Sequence, residues 1–437
     1  MLQDPLGVDR RLRDTWRSFQ SFRAALRAGR GQDHAFEHVG AWVSRELLYE
    51  LSDAAGDPLA PTLLRLAARL GEEHALIELG VAHANAFRVV QHPLDAPERG
   101  HLTLEALLGH ALANTKGQRA AYLAALLERG GRVTELALRR AERRAEVRES
   151  LQERVPAELD LPGTAVLTAA ERWLATTQDA FLALDAPTLG ELFEVGLGRD
   201  SRATWPARVT ARALSELFRE GRWLEQTDAD ADRATPALGA ASFLRGLFRL
   251  GAALRASLAS GRGPFALAYD PYGLERATLG SLFAGLPFGE AFAHRELGVS
   301  AANAADHRRT LARVLLVATR EAALRVVLRA PSQSGTRAFE QGYAERTHQA
   351  LGIELPPTAL GILFTPRPAD AQRFAGMLLA TAKTAELTNA HDEDWYRNPR
   401  AVEEVRETSR GPAVTVAYEA PLEAGAALLA SAILAAL

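Results

Sequence analysis

The 437-residue chain contains no cysteine. Disulfides, thiolate metal ligands and a cysteine nucleophile are thereby excluded. Lysine is almost missing: apart from Lys116 and Lys383, the Lys/Arg complement is arginine. Alternating β-branched patterns are scarce, and residues 413–418 form the one short run with the period of a strand. Long apolar runs are also lacking. The longest, residues 424–437, is rich in alanine and shorter than the roughly 20 residues a spanning helix needs. Met1-Leu2-Gln3-Asp4-Pro5 is not a basic segment followed by an apolar one, so a cytoplasmic location without membrane contact is expected. Gly29-Arg30-Gly31 and Gly261-Arg262-Gly263 lack a preceding strand and a Lys-Ser/Thr pair, so neither reads as a phosphate loop. No serine or threonine occupies a nucleophile elbow.

What is present describes an ordinary globular protein with a large core: 47% hydrophobic and 24% charged residues. A net charge of −3 offers no bulk attraction to nucleic acid. The most basic run, Arg139-Arg140-Ala141-Glu142-Arg143-Arg144, is interleaved with Glu142, Glu146 and Glu149 and reads as a salt-bridged solvent face. Nucleic acid is therefore not an expected partner.

Helical periodicity dominates. Leu12, Trp16, Phe19, Phe22 and Leu26 recur on one face of residues 11–27. Similar patterns cover residues 43–51, 61–70, 72–84, 102–113 and 118–152, the last broken at Gly130-Gly131. Residues 155–163, with two prolines and a glycine, predict a boundary between an N-terminal lobe, 1–154, and a C-terminal lobe, 164–437. Beyond it, helices are expected at 164–184, 207–219, 237–260, 301–328, 334–351, 373–388 and 422–437. The fold class expected is all-α, with two lobes about a cleft.

Three stretches of the C-terminal half carry a family resemblance. The first is Asp270-Pro271-Tyr272-Gly273-Leu274-Glu275-Arg276 with the Phe292-Ala293-His294-Arg295-Glu296-Leu297-Gly298 that follows it. The second is Gly342-Tyr343-Ala344-Glu345-Arg346-Thr347-His348, and the third Trp395-Tyr396-Arg397-Asn398-Pro399-Arg400-Ala401. In this order, between about residues 240 and 407, they resemble the oligoendopeptidase F and thimet oligopeptidase family of zinc metallopeptidases. The resemblance implies a helical scaffold with a peptide-binding cleft. It also implies a His-Glu-x-x-His helix, in which two histidines hold zinc and the glutamate activates water.

That motif is absent. The corresponding helix runs Phe243-Leu244-Arg245-Gly246-Leu247-Phe248-Arg249-Leu250, without histidine or carboxylate, and no glutamate stands near Leu279-Gly280 where a further ligand belongs. Leu244, Leu247 and Phe248 are expected in a repacked core. The implied function is a pseudopeptidase: no catalytic residues, no cofactor, and a peptide or protein partner. Tyr269, Tyr272, Arg276, Tyr343 and Arg346 are the candidate peptide contacts, being aromatic rings or forked donors. They serve equally well as helix caps and local ion-pair partners.

Two alternatives belong to other classes. His34-Ala35-Phe36-Glu37-His38 matches the inverted motif His-x-x-Glu-His, which would place zinc on His34 and His38 with Glu37 as base and Glu72 or Glu105 as a third ligand. The surrounding Phe36, Val39 and Trp42 equally suit an ordinary core-facing helix. A purely structural subunit of an assembly is the other alternative. Asp228, Asp230 and Asp232 alternate like a calcium loop, but Arg233 and Gly239 stand where its glycine and bidentate glutamate belong.

Overall fold

Two helix starts carry a side-chain cap of the expected kind. Ser44 accepts from the Leu47 amide at 3.4 Å, and the helix Arg45–Asp53 begins there. Thr188 caps Leu189–Leu197 by accepting from the Glu191 amide, while its hydroxyl donates to the Glu191 carboxylate at 2.8 Å. The same helix stops at Gly198, whose φ of 71° suits a residue without a side chain.

The computed structural model describes residues 4–28, 35–54, 56–91, 123–124, 127–151, 163–198, 223, 240–259, 263–270, 273–332, 336–364, 369–410 and 419–437. The helices are α1 (Pro5–Ala28), α2 (Ala35–Gly40), α3 (Arg45–Asp53), α4 (Ala60–Ala75), α5 (Ile77–Gln91) and α6 (Gly131–Glu149). They continue with α7 (Gly163–Thr176), α8 (Gln178–Leu182), α9 (Leu189–Leu197), α10 (Ala240–Ala259), α11 (Phe265–Ala268) and α12 (Leu274–Gly285). The last are α13 (Glu290–Arg295), α14 (Ala301–Ser332), α15 (Thr336–Leu351), α16 (Asp370–His391), α17 (Pro399–Arg410) and α18 (Glu419–Ala436). Among the described residues there is no strand, and the fold is all-α. The strand read at 413–418, the helices read at 102–113 and 207–219, and residues 155–162 of the expected boundary lie outside the described residues.

The long helix α14, about 48 Å at 1.5 Å per residue, is the central strut. It packs against α7, α9, α10, α15, α16 and α18. Beside it, α10, α12, α16 and α18 pack in succession. Glycine recurs at these contacts. A Cβ on Gly280 of α12 would stand 2.7 Å from the Phe248 ring of α10, and one on Gly425 of α18 would strike the Leu378 carbonyl of α16. At Gly425 the two helix backbones meet because no side chain intervenes, and at Gly280 the missing side chain leaves room for the Phe248 ring.

The predicted division of the chain is crossed by its apolar clusters. Phe87, Val133 and Leu138 share the largest cluster with Trp173, Leu316, Phe339, Phe374 and Ile433. Ala266 and Tyr269 complete a cluster built from α1, α3 and α4. Two polar links cross as well. Thr134 donates to the Thr358 carbonyl at 2.7 Å and accepts from the Gly361 amide at 2.8 Å. Asp9 accepts from the amides of Phe265 and Ala266 at 2.8 and 2.7 Å.

Inside the largest cluster lies a cation, Arg320 of α14, with 0% of its surface exposed. It donates to the Leu174 carbonyl and the Thr177 hydroxyl at 2.7 Å, to the Gln178 amide oxygen at 2.6 Å, and to the Ala350 and Gln349 carbonyls at 2.8 and 3.2 Å. Its guanidinium also covers the Phe181 ring, 4.5 Å from the centroid. Leu174 and Ala350 lie at the carboxyl ends of α7 and α15, where helix carbonyls lack partners and the dipole is negative. Two helix ends thus hold the charge. Burial still depresses its pKa to about 10.

Three expectations are corrected. Leu244 and Leu247 are buried, but Phe248 is partly exposed. The core face of α10 is Phe243, Leu247, Leu250 and Leu254, and Phe248 is turned off it to rest on Gly280. The basic run of α6 is only partly a solvent face. Arg143 pairs with Glu146 outside, whereas Arg144 and Arg148 hold the buried Glu72, and Arg140 and Arg144 hold the buried Glu73, at the α4 contact. Finally, the apolar C-terminal helix begins at Glu419 rather than near 422–424. At 18 residues, with mean hydropathy 1.4, it is long and apolar enough by composition to cross a membrane. Here Leu422, Gly425, Leu429 and Ile433 pack it into the protein.

Candidate functional site

The sequence-derived contacts fall in two places. Tyr269 is buried among the N-terminal helices, edge-on to Trp16 at 5.3 Å and beside Phe265 at 5.9 Å. Tyr343 is fully buried in the largest cluster, 5.4 Å from the Phe339 ring, and its hydroxyl donates to the Leu363 carbonyl at 3.3 Å. Burial pushes the pKa of that hydroxyl up. The two rings belong to separate apolar clusters. Arg276 is exposed, and its backbone amide donates to Asp270 at 2.9 Å. Arg346 is half-exposed, its guanidinium lying back against Gly342. Tyr272 lies outside the described residues.

His34 also lies outside them. His38 and Glu37 are exposed on the short α2, and the Glu37 carbonyl meets the His74 ring at 2.9 Å. Glu72, proposed as a third ligand, is engaged by Arg144 and Arg148, and Glu105 lies outside the described residues. Among the described residues no three His, Cys, Asp or Glu side chains are grouped to hold a metal.

Two groupings of charge stand out instead. Near the start of α12, Asp270 caps the helix by accepting from the amides of Leu274 and Arg276 at 3.1 and 2.9 Å. Its neighbour Glu275 pairs with the buried Arg255 of α10. Burial raises the Glu275 pKa to about 7; Arg255 opposes this and the Asp270 charge adds to it. Burial raises Asp270 as well, against the hydrogen bonds it accepts from the helix start.

The second grouping occupies the helix where the resemblance calls for zinc ligands. Arg245 and Arg249, one turn apart on α10, lie off the apolar face, within electrostatic reach of Arg373 of α16 and Glu321 of α14. Burial, followed by repulsion from Arg249 and Arg373, lowers the Arg245 pKa to about 10, with Glu321 opposing. Glu321 is already bound by the buried Arg325 at 2.8 Å. Arg325 in turn lies over Phe364, within electrostatic reach of Asp370 and Tyr343. Zinc does not fit here, since a guanidinium has no lone pair to give and would repel the ion. An anion does fit. The sequence signal was available: two of the helix's three arginines are spaced i, i+4 on a mostly apolar helix.

No family model matches the chain, and no curated protein matches it.

Proposed function

We propose that this chain is a non-catalytic peptide- or protein-binding protein, a pseudopeptidase on an oligoendopeptidase-like scaffold of two helical lobes about a cleft. One observation carries the reading. The helix that would hold zinc in a peptidase turns Phe243, Leu247 and Leu250 into the core and presents Arg245 and Arg249 instead. Such a surface attracts the polar, charged ends and side chains of peptides but offers nothing to activate water. Arg276 and Arg346, both reaching the surface, are retained as further contacts.

The test is a pair of measurements on protein purified without chelator. Zinc content should stay far below stoichiometric, and a quenched fluorescent peptide set should remain uncut with or without added zinc, while labelled peptides bind. Zinc surviving dialysis, together with zinc-dependent cleavage, overturns the proposal. Loss of that zinc in His34→Ala would then assign the site to the N-terminal motif.

A further inference from the structure

Two local costs meet at the start of α16. Phe364, buried in the largest cluster, holds a backbone φ of 54°. That left-handed conformation crowds Cβ against the carbonyl that follows, and a bulky residue seldom adopts it. Gln372, the third residue of α16, is buried with both amide atoms lacking a hydrogen-bond partner. A glutamine at that position ordinarily reaches back to the amide of the cap residue. Here it does not, and the cap residue Ala369 has no side-chain bond to offer in its place. The polar contacts holding this arrangement are long. The Tyr343 hydroxyl donates to the Leu363 carbonyl at 3.3 Å, against roughly 2.7–2.8 Å for such bonds. The Arg325 guanidinium stands 5.5 Å from the Phe364 ring centroid, near the roughly 6 Å limit of a cation–π contact. Left-handed bulky residues and orphaned buried amides gather where a structure has a second arrangement to go to.

We propose that Phe364 and the first turn of α16 form a conformational switch with a closed and an open arrangement. In the closed one the Phe364 ring lies against Arg325, which binds Glu321 at 2.8 Å on α14. In the open one Phe364 takes ordinary backbone angles, its ring withdraws from Arg325, and the Gln372 amide gains partners. Burial of the ring favours the closed form, while the backbone conformation and the orphaned amide disfavour it. Opposed terms of similar size leave the open form populated as a minor state. The switch stands independently of the peptide-binding reading, because none of its parts touches the surface arginines assigned to the peptide.

The experiment follows amide hydrogen exchange of the full chain under native conditions. The Arg373 amide, bonded to the Ala369 carbonyl at 3.0 Å, should exchange through local opening, about 100-fold or more faster than amides in the middle of α16. Gln372→Met keeps the side-chain length and removes the orphaned amide. It should slow exchange at Arg373 about fivefold or more, because the closed form alone carries that cost. Phe364→Gly and Phe364→Ala lose the same ring contacts, but only glycine rests freely at a φ of 54°. Opening should be about fivefold rarer in the glycine variant, reversing the order these two residues show in a helix.

Unchanged or faster exchange at Arg373 in Gln372→Met overturns the switch and leaves ordinary fraying of a helix end. Equal or more frequent opening in the glycine variant than in the alanine variant overturns it as well, since the backbone at Phe364 then stores nothing. Exchange at Arg373 only through global unfolding, in step with the rest of α16, removes the open arrangement altogether. Should both Phe364 variants fail to fold, the wild-type exchange pattern and Gln372→Met decide the matter.

Discussion

Asp9 of α1 caps a helix start 256 residues away, its carboxylate accepting from the Phe265 amide at 2.8 Å. The second carboxylate oxygen takes the Ala266 amide, so one buried side chain satisfies two donors at the start of α11. Asp9→Ala orphans both and should lower stability by about 2 kcal/mol, the upper end for losing a cap. Asp9→Asn keeps one acceptor oxygen and should lose less. Urea denaturation of both variants checks the order, and equal losses would mean that packing rather than hydrogen bonding holds α1 to α11.

Arg320 should be far less replaceable. Its removal in Arg320→Met leaves buried acceptors on Leu174, Ala350 and Thr177 unmet, each at a cost of about 1–3 kcal/mol. A total loss of about 3–5 kcal/mol is expected, measured by chemical denaturation. Lysine keeps the charge but not the planar fork that reaches two helix ends at once, so Arg320→Lys should restore only a minor part. Full restoration by lysine would show that charge alone suffices.

Glu275 gives the protein a pH dependence opposite to that of a salt-bridged surface acid. Its pKa rises from 4.5 to about 7 on folding, with burial the main cause. Between those values the unfolded chain has released a proton that the folded protein keeps, so raising the pH favours unfolding. The stabilisation associated with the protonated group is therefore complete below about pH 4.5 and lost as the pH passes about 7. Relative to Glu275→Gln, the wild type should lose stability across that interval. Denaturation midpoints of the two proteins at successive pH values test it; a constant difference would be the contrary result.

Gly425→Ala should destabilise, although alanine is the better helix former by about 1 kcal/mol. The added methyl group meets the Leu378 carbonyl, a backbone atom that cannot turn aside. Forcing α18 away from α16 should cost about 1–3 kcal/mol net, as overpacked cores do. The control is Gly285→Ala, where a Cβ meets nothing within 4 Å. If both variants shift the midpoint alike, the close contact of α16 and α18 is not what fixes α18.

The helices were legible in the sequence because the same periodicity that marks them also buries them. Leu12, Phe19 and Phe22 were placed correctly from spacing alone, as was the break at Gly130-Gly131. Phe248 was not, since neighbouring apolar residues on a helix differ by about 100° in direction and only the facing helix decides which is covered. Tyr269 and Tyr343 read as ligand contacts because a tyrosine suits a groove and a core equally; their partners, Trp16 and Leu363, are distant in sequence. The charged groupings escaped for a related reason. Glu72 and Glu73 show no partner in the sequence until α6 brings Arg140, Arg144 and Arg148 across them.

Thr134 also sets a timetable for synthesis. Its partners, Thr358 and Gly361, leave the ribosome 224 and 227 residues after it. At about 5–20 residues per second, that interval is on the order of 10 to 45 s. Throughout it Val133 and Leu138 lack the later-made half of the cluster that covers them. The nascent chain therefore carries an uncovered apolar surface for far longer than helices take to form, and holdase chaperones have a natural foothold there until the last third of the chain arrives.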